Sequence, residues 1–442
     1  MRKFIFVVAT LCASAAPTYA QTPNPPSGNA NLLPEVERRA KAVEAKVVTW
    51  RRDLHQHPEL GNQEVRTAKI VADHLRSLGM EVRTNVAVTG VIGVLKGGRP
   101  GPVVALRADM DALPVTEMVD LPFASKVRST FNGQDVGVMH ACGHDAHVAM
   151  LMGVAEILAG MKAQLPGTIK FIFQPAEEGL PPGQVGGAEQ MLKEGAFNDP
   201  KPQAVFGLHV ISPIPAGHIV YKAGGQLAAV DRLDIVVRGK QTHGAMPWGG
   251  VDPIVAASQI VLGLQTIASR QVDVLKAPII VTIGQINGGV RNNIIPDSVV
   301  LVGTLRTLDP GMREDVRARV KRTAEQIAAA AGATAQVTIH PGYPVTVNDE
   351  RLTQWAAPIL ERVTGAGKAY TGPPSLGGED FSYFANQAPG FFFFLGTVPP
   401  NQDPATAAAN HSPYFFVDES TLPVGTRALA NLAVEYLARP AM

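Results

Sequence analysis

Hydrophobic and polar positions alternate with two different periods along this chain. Four segments of the first half repeat apolar residues with a helical period: 33–57, 64–78, 147–163 and 187–195. Four short apolar runs are bounded by turn residues and predict strands: 90–95, 103–107, 168–173 and 204–208. Because helical segments separate several of these strands, the first half is predicted to form a largely parallel α/β sheet.

From about residue 224 the pattern changes. Its segments are strand 230–237, helix 253–269, strands 278–283 and 299–305, helix 311–331 and strand 336–340. This β-α-β-β-α-β order is that of a ferredoxin-like unit. The α/β pattern then resumes with helix 350–364, strand 390–395 and helix 422–437. The sequence therefore predicts one discontinuous α/β domain, residues 31–223 and 342–442, with an inserted domain at 224–341.

The first twenty residues have the pattern of a secretory signal peptide. Arg2 and Lys3 precede an apolar run, and small residues lead to Ala20. Residues 21–30 are rich in Pro, Asn and Gly and are predicted to be a flexible spacer. No later segment has eighteen uninterrupted apolar residues, so membrane insertion is not expected. We expect an exported protein, periplasmic or secreted.

Charge and cysteine content narrow the function classes. In 442 residues, Lys and Arg number 39 and Asp and Glu number 38, which gives a net charge of +1. This balance argues against a nucleic-acid partner, since phosphate binding needs a basic surplus. Of the two cysteines, Cys12 lies in the predicted signal peptide. Cys142 would remain alone and could form no internal disulfide, so we expect another group to occupy it.

Residues able to bind a metal follow the predicted strands or lie near the end of the chain. They are Asp109 and Asp111, Cys142 and His144 in MHACGHDAH, Glu177 and Glu178, His209, and His411 in NHSP. The carboxyl ends of parallel strands meet at one edge of a sheet, where ligands bind. A thiolate, imidazoles and a carboxylate suit zinc or a neighbouring first-row divalent ion.

A structural explanation exists for each of these residues taken singly. A lone histidine before a helix is more often a cap or a hydrogen-bonded surface residue than a ligand. Glu177 and Glu178 would repel each other at a sheet edge, and a metal would relieve that repulsion. One of the two could then bind the metal while the other transfers protons.

Some residues near these motifs could either bind a metal or substrate directly or have a supporting structural role. Asp111 is expected to support a ligand from behind, whereas direct metal binding by Asp109 stays open. His147 lies at a predicted helix start, and we expect it to be packed or to support a ligand. Glu379 could orient a ligand or cap a loop.

Nine motifs in order give the chain a family resemblance. They are RRDLHQHPELG at 51–61, RADMDALP at 107–114, MHACGHDAH at 139–147, QPAEEG at 174–179, GLH at 207–209, THGAMPWGGVDP at 242–253, NNIIPD at 292–297, GGEDF at 377–381 and NHSP at 410–413. Together they resemble the M20 metallopeptidases over about residues 45–437. Within that family they resemble the amidohydrolase branch, which includes hippurate, N-acyl-amino-acid and auxin-conjugate hydrolases.

This resemblance implies a fold and a metal centre. The fold would be a mostly parallel-sheet metallopeptidase catalytic domain with an inserted ferredoxin-like lid and dimerisation domain. Two divalent ions, zinc or manganese with cobalt or nickel also accepted, would be held by five ligands. The matching positions are the bridging Cys142, then His144, Glu178, His209 and His411.

The resemblance also implies catalytic and substrate-binding roles. Glu177 would be the general base for a water between the metals, in the hydrolysis of N-acyl or N-aroyl amino acids or short peptides. His243 would reach an active site, usually that of the partner subunit in a homodimer, and stabilise the oxyanion. Asn293 and Arg306 would hold the carboxylate of the substrate.

Three other functions compete with this hypothesis. The chain could be a dipeptidase or aminopeptidase-type member of the same family. Cys142 could be a nucleophile with His144 as its base, although that would leave the paired glutamates and the distant histidines without a task. An exported two-domain α/β protein could also be a non-catalytic solute-binding protein that closes on a hinge.

Overall fold

The computed structural model of this chain describes residues 32–181 and 183–439. The predicted signal peptide at 1–20 and spacer at 21–30 lie outside the described residues, so both stay predictions. Within the described ranges, no helix is both long and apolar enough to cross a membrane.

The helices are α1 (Leu33–Gln56), α2 (Val65–Ser77), α3 (His144–Ala159), α4 (Gly187–Lys193), α5 (Pro253–Thr266), α6 (Pro310–Ala330), α7 (Glu350–Thr364), α8 (Phe381–Ala385) and α9 (Leu422–Ala438). Two of them start at an Asp-Pro pair. The side chains of Asp252 and Asp309 accept hydrogen bonds from backbone N–H groups in the first turns of α5 and α6. The proline that follows each aspartate suits the first helical position, where the backbone needs no donor.

The strands are β1 (Glu81–Val86), β2 (Gly90–Lys96), β3 (Arg99–Asp109), β4 (Arg128–Phe131), β5 (Gln134–Gly137), β6 (Pro166–Gln174), β7 (Ala204–Pro215), β8 (Ile219–Tyr221), β9 (Gly224–Leu227), β10 (Ala229–Arg238), β11 (Thr242–His243), β12 (Ile279–Gly288), β13 (Ile294–Ile295), β14 (Ser298–Thr307), β15 (Thr334–Pro341), β16 (Thr346–Asn348), β17 (Ala369–Thr371) and β18 (Gly390–Val398). Most of them belong to two sheets, and the short strands β4, β5, β9, β11, β13 and β16 pair in ribbons.

The larger sheet has the order β1-β2-β6-β3-β7-β18-β8-β17. Its centre is parallel, since β6, β3, β7 and β18 run in one direction. The outer strands β1 and β2 are antiparallel to their neighbours. The chain is therefore a mixed α/β protein with a large, mostly parallel central sheet.

Strand β18 shows how helices cover both faces of this sheet. Phe391 and Phe393 belong to the apolar core that also contains residues of α1, α3 and α9. Phe392 and Phe394 belong to the core on the opposite face, with residues of α4 and α8. All of β18 is buried, as the uninterrupted apolar sequence predicts for a strand covered on both faces.

A second group of elements has its own apolar core, from Ala228 to Ala333. Its element order is β10-α5-β12-β14-α6-β15, and its strand order is β12-β14-β10-β15 with every pairing antiparallel. Buried residues alternate along β10, so one face of the sheet packs against α5 and α6. We call these elements the four-stranded unit. The domain bounds given above stay a prediction.

Candidate metal centre and active site

The candidate site lies at the carboxyl edge of β3, β6 and β7. Asp109 and Gln174, the last residues of β3 and β6, are in register. Strand β7 pairs in parallel with β3 and carries His209 near the same edge. The predicted end of this strand at residue 208 is wrong, because β7 continues to pair with β18 as far as Pro215. The predicted convergence of ligand-bearing segments at one edge is found.

Two of the candidate ligands flank a glycine whose backbone has the left-handed conformation. Gly143 precedes α3 with φ 90°, and a Cβ atom at this position would lie 2.3 Å from the side chain of Val210. Both the backbone angle and the close approach therefore require glycine. The turn brings Cys142 and His144 to the cluster.

The structure brings together the five side chains predicted as metal ligands, in two groups that share Cys142. The ligand atoms of Cys142, His144 and His209 lie within 4.8 Å of one another, and so do those of Cys142, Glu178 and His411. Sγ of Cys142 is 3.3 Å from Nε2 of His209. Oε1 of Glu178 is 3.2 Å from Nε2 of His411. One side chain common to both groups is what two neighbouring cations would need to share a ligand.

Hydrogen bonds from behind fix which imidazole nitrogen faces the cluster. Nδ1 of His144 donates to the carbonyl oxygen of Asp111 at 2.8 Å, and Nδ1 of His209 donates to that of Val210 at 2.7 Å. Because a carbonyl oxygen only accepts, Nδ1 carries the proton in the neutral form of each ring, and the lone pair of that form is on Nε2, which faces the cluster. In the described part of the chain, the buried Nε2 of His144 has no hydrogen-bond partner. These donors fit a divalent cation.

The electrostatics of the cluster favour added positive charge. Burial opposes protonation of His144, but Asp109 and Asp111 outweigh it and raise its pKa to about 10. Burial, followed by the negative charges of Glu178 and Glu177, raises the pKa of the Cys142 thiol well above its usual value. A nearby cation would favour the thiolate form of Cys142 and would compensate the negative charge of the surrounding carboxylates.

Asp109 and His147 are engaged with other protein groups. Nε2 of His147 accepts a hydrogen bond from the backbone N–H of Val210 at 2.8 Å, so its Nδ1 carries the proton and donates to Asp109 at 2.5 Å. The other oxygen of Asp109 accepts from Arg107 at 2.8 Å. His147 therefore has no lone pair left for a metal, and it supports the site from behind as expected.

Glu177 is buried in a cluster of acids. Its carboxylate and those of Glu379 and Asp380 approach within 4.8 Å of one another. Arg107 is fully buried beside them and donates to Glu379 at 2.9 Å and to Asp380 at 3.0 Å. Burial, followed by the charges of Glu379 and Glu178, raises the pKa of Glu177 well above its usual range. A carboxylate with a raised pKa is a stronger proton acceptor, as a general base requires.

Asn410 connects the three segments that carry Cys142 and His144, His209, and His411. Its Nδ2 donates to the carbonyl oxygens of Cys142 at 3.2 Å and of Val210 at 3.1 Å. Its Oδ1 accepts from the backbone N–H of Ser212 at 3.1 Å. The side chain thus fixes the start of α3 and strand β7 relative to the loop that carries His411.

A cavity of about 520 Å³ opens beside the cluster. Cys142, Glu177 and His411 line it together with Arg306 from β14. Apolar side chains form part of its wall: Ile211, Leu227, Val230 and Phe394. A substrate in this cavity would meet the metal cluster, the acid and an arginine at once.

Two predicted site residues do not join this cavity. His243 and Asn293 are exposed and neither lines it. His243 ends β11 and Asn293 directly precedes its partner strand β13, and the backbone N–H of Gly244 donates to the carbonyl of Asn293 at 2.8 Å. Asn293 and Arg306, the two residues predicted to hold the substrate carboxylate, are therefore not brought together within one chain, because Arg306 lines the cavity and Asn293 does not.

Several residues that hold the site were not predicted from the sequence. Arg107 lies in a quoted motif, and Asn410 directly precedes a predicted ligand, so both positions offered a signal. Glu64 and Tyr343 offered none, because they reach the loop at residues 176–178 across 112 and 166 residues of chain. Glu379 both accepts from Arg107 and caps the start of α8 through the backbone N–H of Phe381 at 2.8 Å.

This donor set, beside a buried acid at the carboxyl edge of a parallel sheet, is typical of metal-dependent hydrolases. Residues 105–435 match peptidase family M20/M25/M40. The chain is 40% identical over 408 residues to thermostable carboxypeptidase 2 of Saccharolobus solfataricus, covering 92% of this chain and 99% of that protein. It is 41% identical over 396 residues to an Arabidopsis thaliana IAA-amino acid hydrolase, ILR1-like 2, covering 88% and 85% respectively.

Two Bacillus subtilis proteins extend the comparison. The chain is 40% identical over 395 residues to N-acetylcysteine deacetylase, covering 89% of this chain and 97% of that protein. It superposes with a TM-score of 0.76 on the crystal structure of a protein described as a dinuclear metal binding peptidase from the M20 family. That match has 38% identity and covers 90% of this chain and 99% of the other. The chain therefore belongs to peptidase family M20, and it is a metal-dependent hydrolase that acts on amide bonds.

Proposed function

We propose that this chain hydrolyses the amide bond of N-acyl or N-aroyl amino acids, or of short peptides, at a centre of two divalent cations. The observation that carries the proposal is the pair of donor groups that share Cys142, beside the buried Glu177. The names of two relatives support the substrate class, since N-acetylcysteine and an IAA-amino acid are both N-acylated amino acids. A dipeptidase or aminopeptidase-type activity is the second candidate, since the name of the carboxypeptidase relative supports cleavage of peptides as well as of N-acyl amino acids.

The protein groups would divide the chemistry among them. The cation ligands would be Cys142, His144, Glu178, His209 and His411. Cations held there supply an acidified water and polarise the substrate carbonyl, and the thiolate suits zinc while manganese, cobalt or nickel stay open. The carboxylate of Glu177 would accept a proton from that water and return it to the departing amine. His243 would donate a hydrogen bond to the oxyanion.

Metal analysis and a substrate panel test this proposal together. The purified chain is expected to hold about two divalent ions and to release free amine from N-acetyl and N-benzoyl amino acids. A chelator should abolish the release, and readdition of zinc or manganese should restore it. Faster cleavage of dipeptides than of any N-acyl amino acid would favour the second candidate. A chain with neither metal nor hydrolysis would contradict both.

Arg306 is expected to select substrates with a free carboxylate. It is half-buried and is the only Lys or Arg among the described residues that line the cavity. Arg306→Met should therefore raise KM for an N-acyl amino acid by about tenfold or more, the usual effect of losing a charged hydrogen bond. KM for the corresponding carboxamide should change little. The control is Arg232→Met, which removes an exposed arginine of β10 that pairs with Asp234.

We further propose that the four-stranded unit is a ferredoxin-like lid and dimerisation domain. Strand β12 lies at the edge of its sheet and exposes Ile280 and Ile286, and Leu262 of α5 is 71% exposed. Exposed apolar residues at an open sheet edge favour association with a second chain. His243 and Asn293 are exposed next to the short strands β11 and β13, in segments of chain that connect elements of this unit, so they could enter the site of a partner subunit.

Mixing two inactive variants tests this shared-site dimer. Glu177→Gln lacks the base, and His243→Ala lacks the donor from the lid. If each site combines Glu177 of one chain with His243 of the other, half of randomly paired dimers hold one intact site, which restores about a quarter of wild-type activity. Sedimentation should give the mass of two chains. A single-chain mass, or a mixture as inactive as its components, would contradict the proposal.

Export is also a proposal, and it depends on the predicted signal peptide at residues 1–20. Sequencing the N-terminus of protein recovered from outside the inner membrane tests it. A mature chain that still begins at Met1 would argue against cleavage.

A further inference from the structure

The loop that carries Glu177 is held by three side chains, one at each successive residue. The backbone N–H of Ala176 donates to Glu64 at 2.9 Å. The carbonyl oxygen of Glu177 accepts from the hydroxyl of Tyr343 at 2.5 Å. The backbone N–H of Glu178 donates to Asp111 at 2.9 Å.

This loop needs such restraints because its backbone is strained. Ala176 has φ 54°, in the left-handed region that disfavours residues with a Cβ atom. Strain of this kind persists only where surrounding contacts hold it in place. Loss of one restraint should therefore allow the neighbouring peptide groups to rotate, and the carboxylate of Glu177 would move with them.

Tyr343 differs from the other two restraints in where its backbone is attached. It follows β15, and its carbonyl oxygen accepts from the backbone N–H of Val230 in β10 at 3.0 Å. The preceding Gly342 donates to the carbonyl of Val230 at 2.9 Å and accepts from Arg313 of α6 at 3.0 Å. Arg313 is in turn paired with the buried Asp231. The backbone of Tyr343 is thus fixed to the four-stranded unit.

The side chain of Tyr343 crosses to the other part of the molecule. Its hydroxyl reaches the Glu177 loop after β6, and its ring lines the substrate cavity. Glu64 and Asp111, by contrast, lie in the part of the chain that precedes the four-stranded unit. Tyr343 is therefore the restraint on the Glu177 loop that connects it to the four-stranded unit.

We propose that Tyr343 is a positioning residue that couples the placement of the four-stranded unit to the orientation of Glu177. Movement of that unit would shift the hydroxyl of Tyr343 and so break or shorten its hydrogen bond to the Glu177 loop. The catalytic consequence rests on the proposed function, in which Glu177 is the base. The mechanical consequence does not, and it can be measured without substrate.

Tyr343→Phe tests the hydroxyl, because it keeps the ring. In the holoenzyme, kcat is expected to fall by about three- to tenfold, the size expected for one hydrogen bond of modest net strength. KM should stay within about twofold, and metal content should not change, because Asp111 still holds Glu178. Amide hydrogen exchange in a peptide spanning residues 176–179 should become several-fold faster. The matched control is Tyr383→Phe. The ring of Tyr383 packs edge-on against that of Tyr343, with 6.3 Å between the ring centroids, and this variant should behave as wild type.

A second variant tests the coupling itself. Arg313→Met loosens the attachment of Gly342 to α6 and changes no residue of the 176–178 loop. If the loop senses the four-stranded unit through Tyr343, exchange at 176–179 should rise in this variant too. In the double variant with Tyr343→Phe, Arg313→Met should add little, because the connection is already lost.

The outcomes separate this inference from the proposed function. Unchanged exchange in Tyr343→Phe, or an equal rise in Tyr383→Phe, would overturn the inference. An exchange rise confined to Tyr343→Phe alone, without one in Arg313→Met, would overturn the coupling. If the exchange results hold while Glu177→Gln stays active, the coupling is supported and the proposed base is wrong.

Discussion

Replacing Glu177 by glutamine is expected to lower kcat by about 10²- to 10⁴-fold while the chain keeps its metal. The amide has nearly the shape of the carboxylate but cannot accept the proton from water. Glu177 lies within 4.8 Å of ligand atoms of His144 and Glu178 but belongs to neither donor group that shares Cys142, and glutamine leaves all five candidate ligands unchanged. Steady-state kinetics together with metal analysis of the same preparation measure both effects.

The adjacent glutamate provides the matched control for this variant. Glu178→Gln is the same chemical change one residue along, but it removes a candidate ligand whose Oε1 faces the cluster. It should lose metal as well as activity. A Glu177→Gln protein that keeps most of its turnover would show that another group is the base. Equal metal loss in both variants would show that Glu177 is a ligand.

Glu177→Gln should also leave the fold intact or stabilise it. The side chain is buried near Glu379 and Asp380, where its ionised form is unfavourable. A neutral side chain avoids that unfavourable ionisation. The thermal midpoint of the metal-free variant is therefore expected to equal or exceed that of the metal-free wild type, which excludes misfolding as the cause of lost activity.

The site could be predicted from the sequence because its reactive residues follow parallel strands, whose carboxyl ends obey a simple geometric rule. Glu177 and Glu178 follow a buried strand, and His209 lies near the end of a pairing between parallel strands. Parallel strands bring their carboxyl ends to one edge whatever the details of packing. The motif around Cys142 and His144 was predicted to lie directly before a helix starting at residue 147, whereas α3 begins three residues earlier, at His144.

The parts that could not be predicted depend on long-range packing. Strand β1 pairs antiparallel at the edge of the sheet, but its sequence EVRTNV is largely polar and gave no apolar run to detect. Asn410 bonds to Cys142 across 268 residues of chain. No local periodicity encodes such a contact, because it arises only when separate loops meet at the sheet edge.

Arg107 illustrates a further limit. A charged residue in an apolar strand is expected to end the strand or face solvent. The side chain of Arg107 is instead fully buried and paired with three carboxylates. They are Asp109, Glu379 and Asp380, at 2.8, 2.9 and 3.0 Å. The positions of two of these acids depend on how the chain returns to β3 after 272 residues.

Replacing Arg107 by methionine is expected to be the most destabilising of these substitutions. Removing one partner of a buried ion pair leaves an uncompensated charge and lowers the free energy of unfolding by about 3–5 kcal/mol. The control is Arg128→Met, since Arg128 pairs with Asp135 at an exposed site, where an ion pair contributes about 0–1 kcal/mol. Urea denaturation of both variants measures the difference. A loss below about 1 kcal/mol in Arg107→Met would contradict a structural role for this network.

The destabilisation of Arg107→Met should also depend on pH in a defined direction. Burial raises the pKa of Glu379 to about 7 and that of Asp380 to about 6, although Arg107 opposes this rise. Without the arginine both values should rise further. A carboxyl group with a raised pKa in the folded chain binds more protons there than in the unfolded chain, so stability falls as pH rises from its unfolded pKa through its folded pKa. The deficit of the variant relative to wild type should therefore be smaller at about pH 5 than at about pH 8. A deficit that is constant with pH would indicate lost packing instead of lost charge compensation.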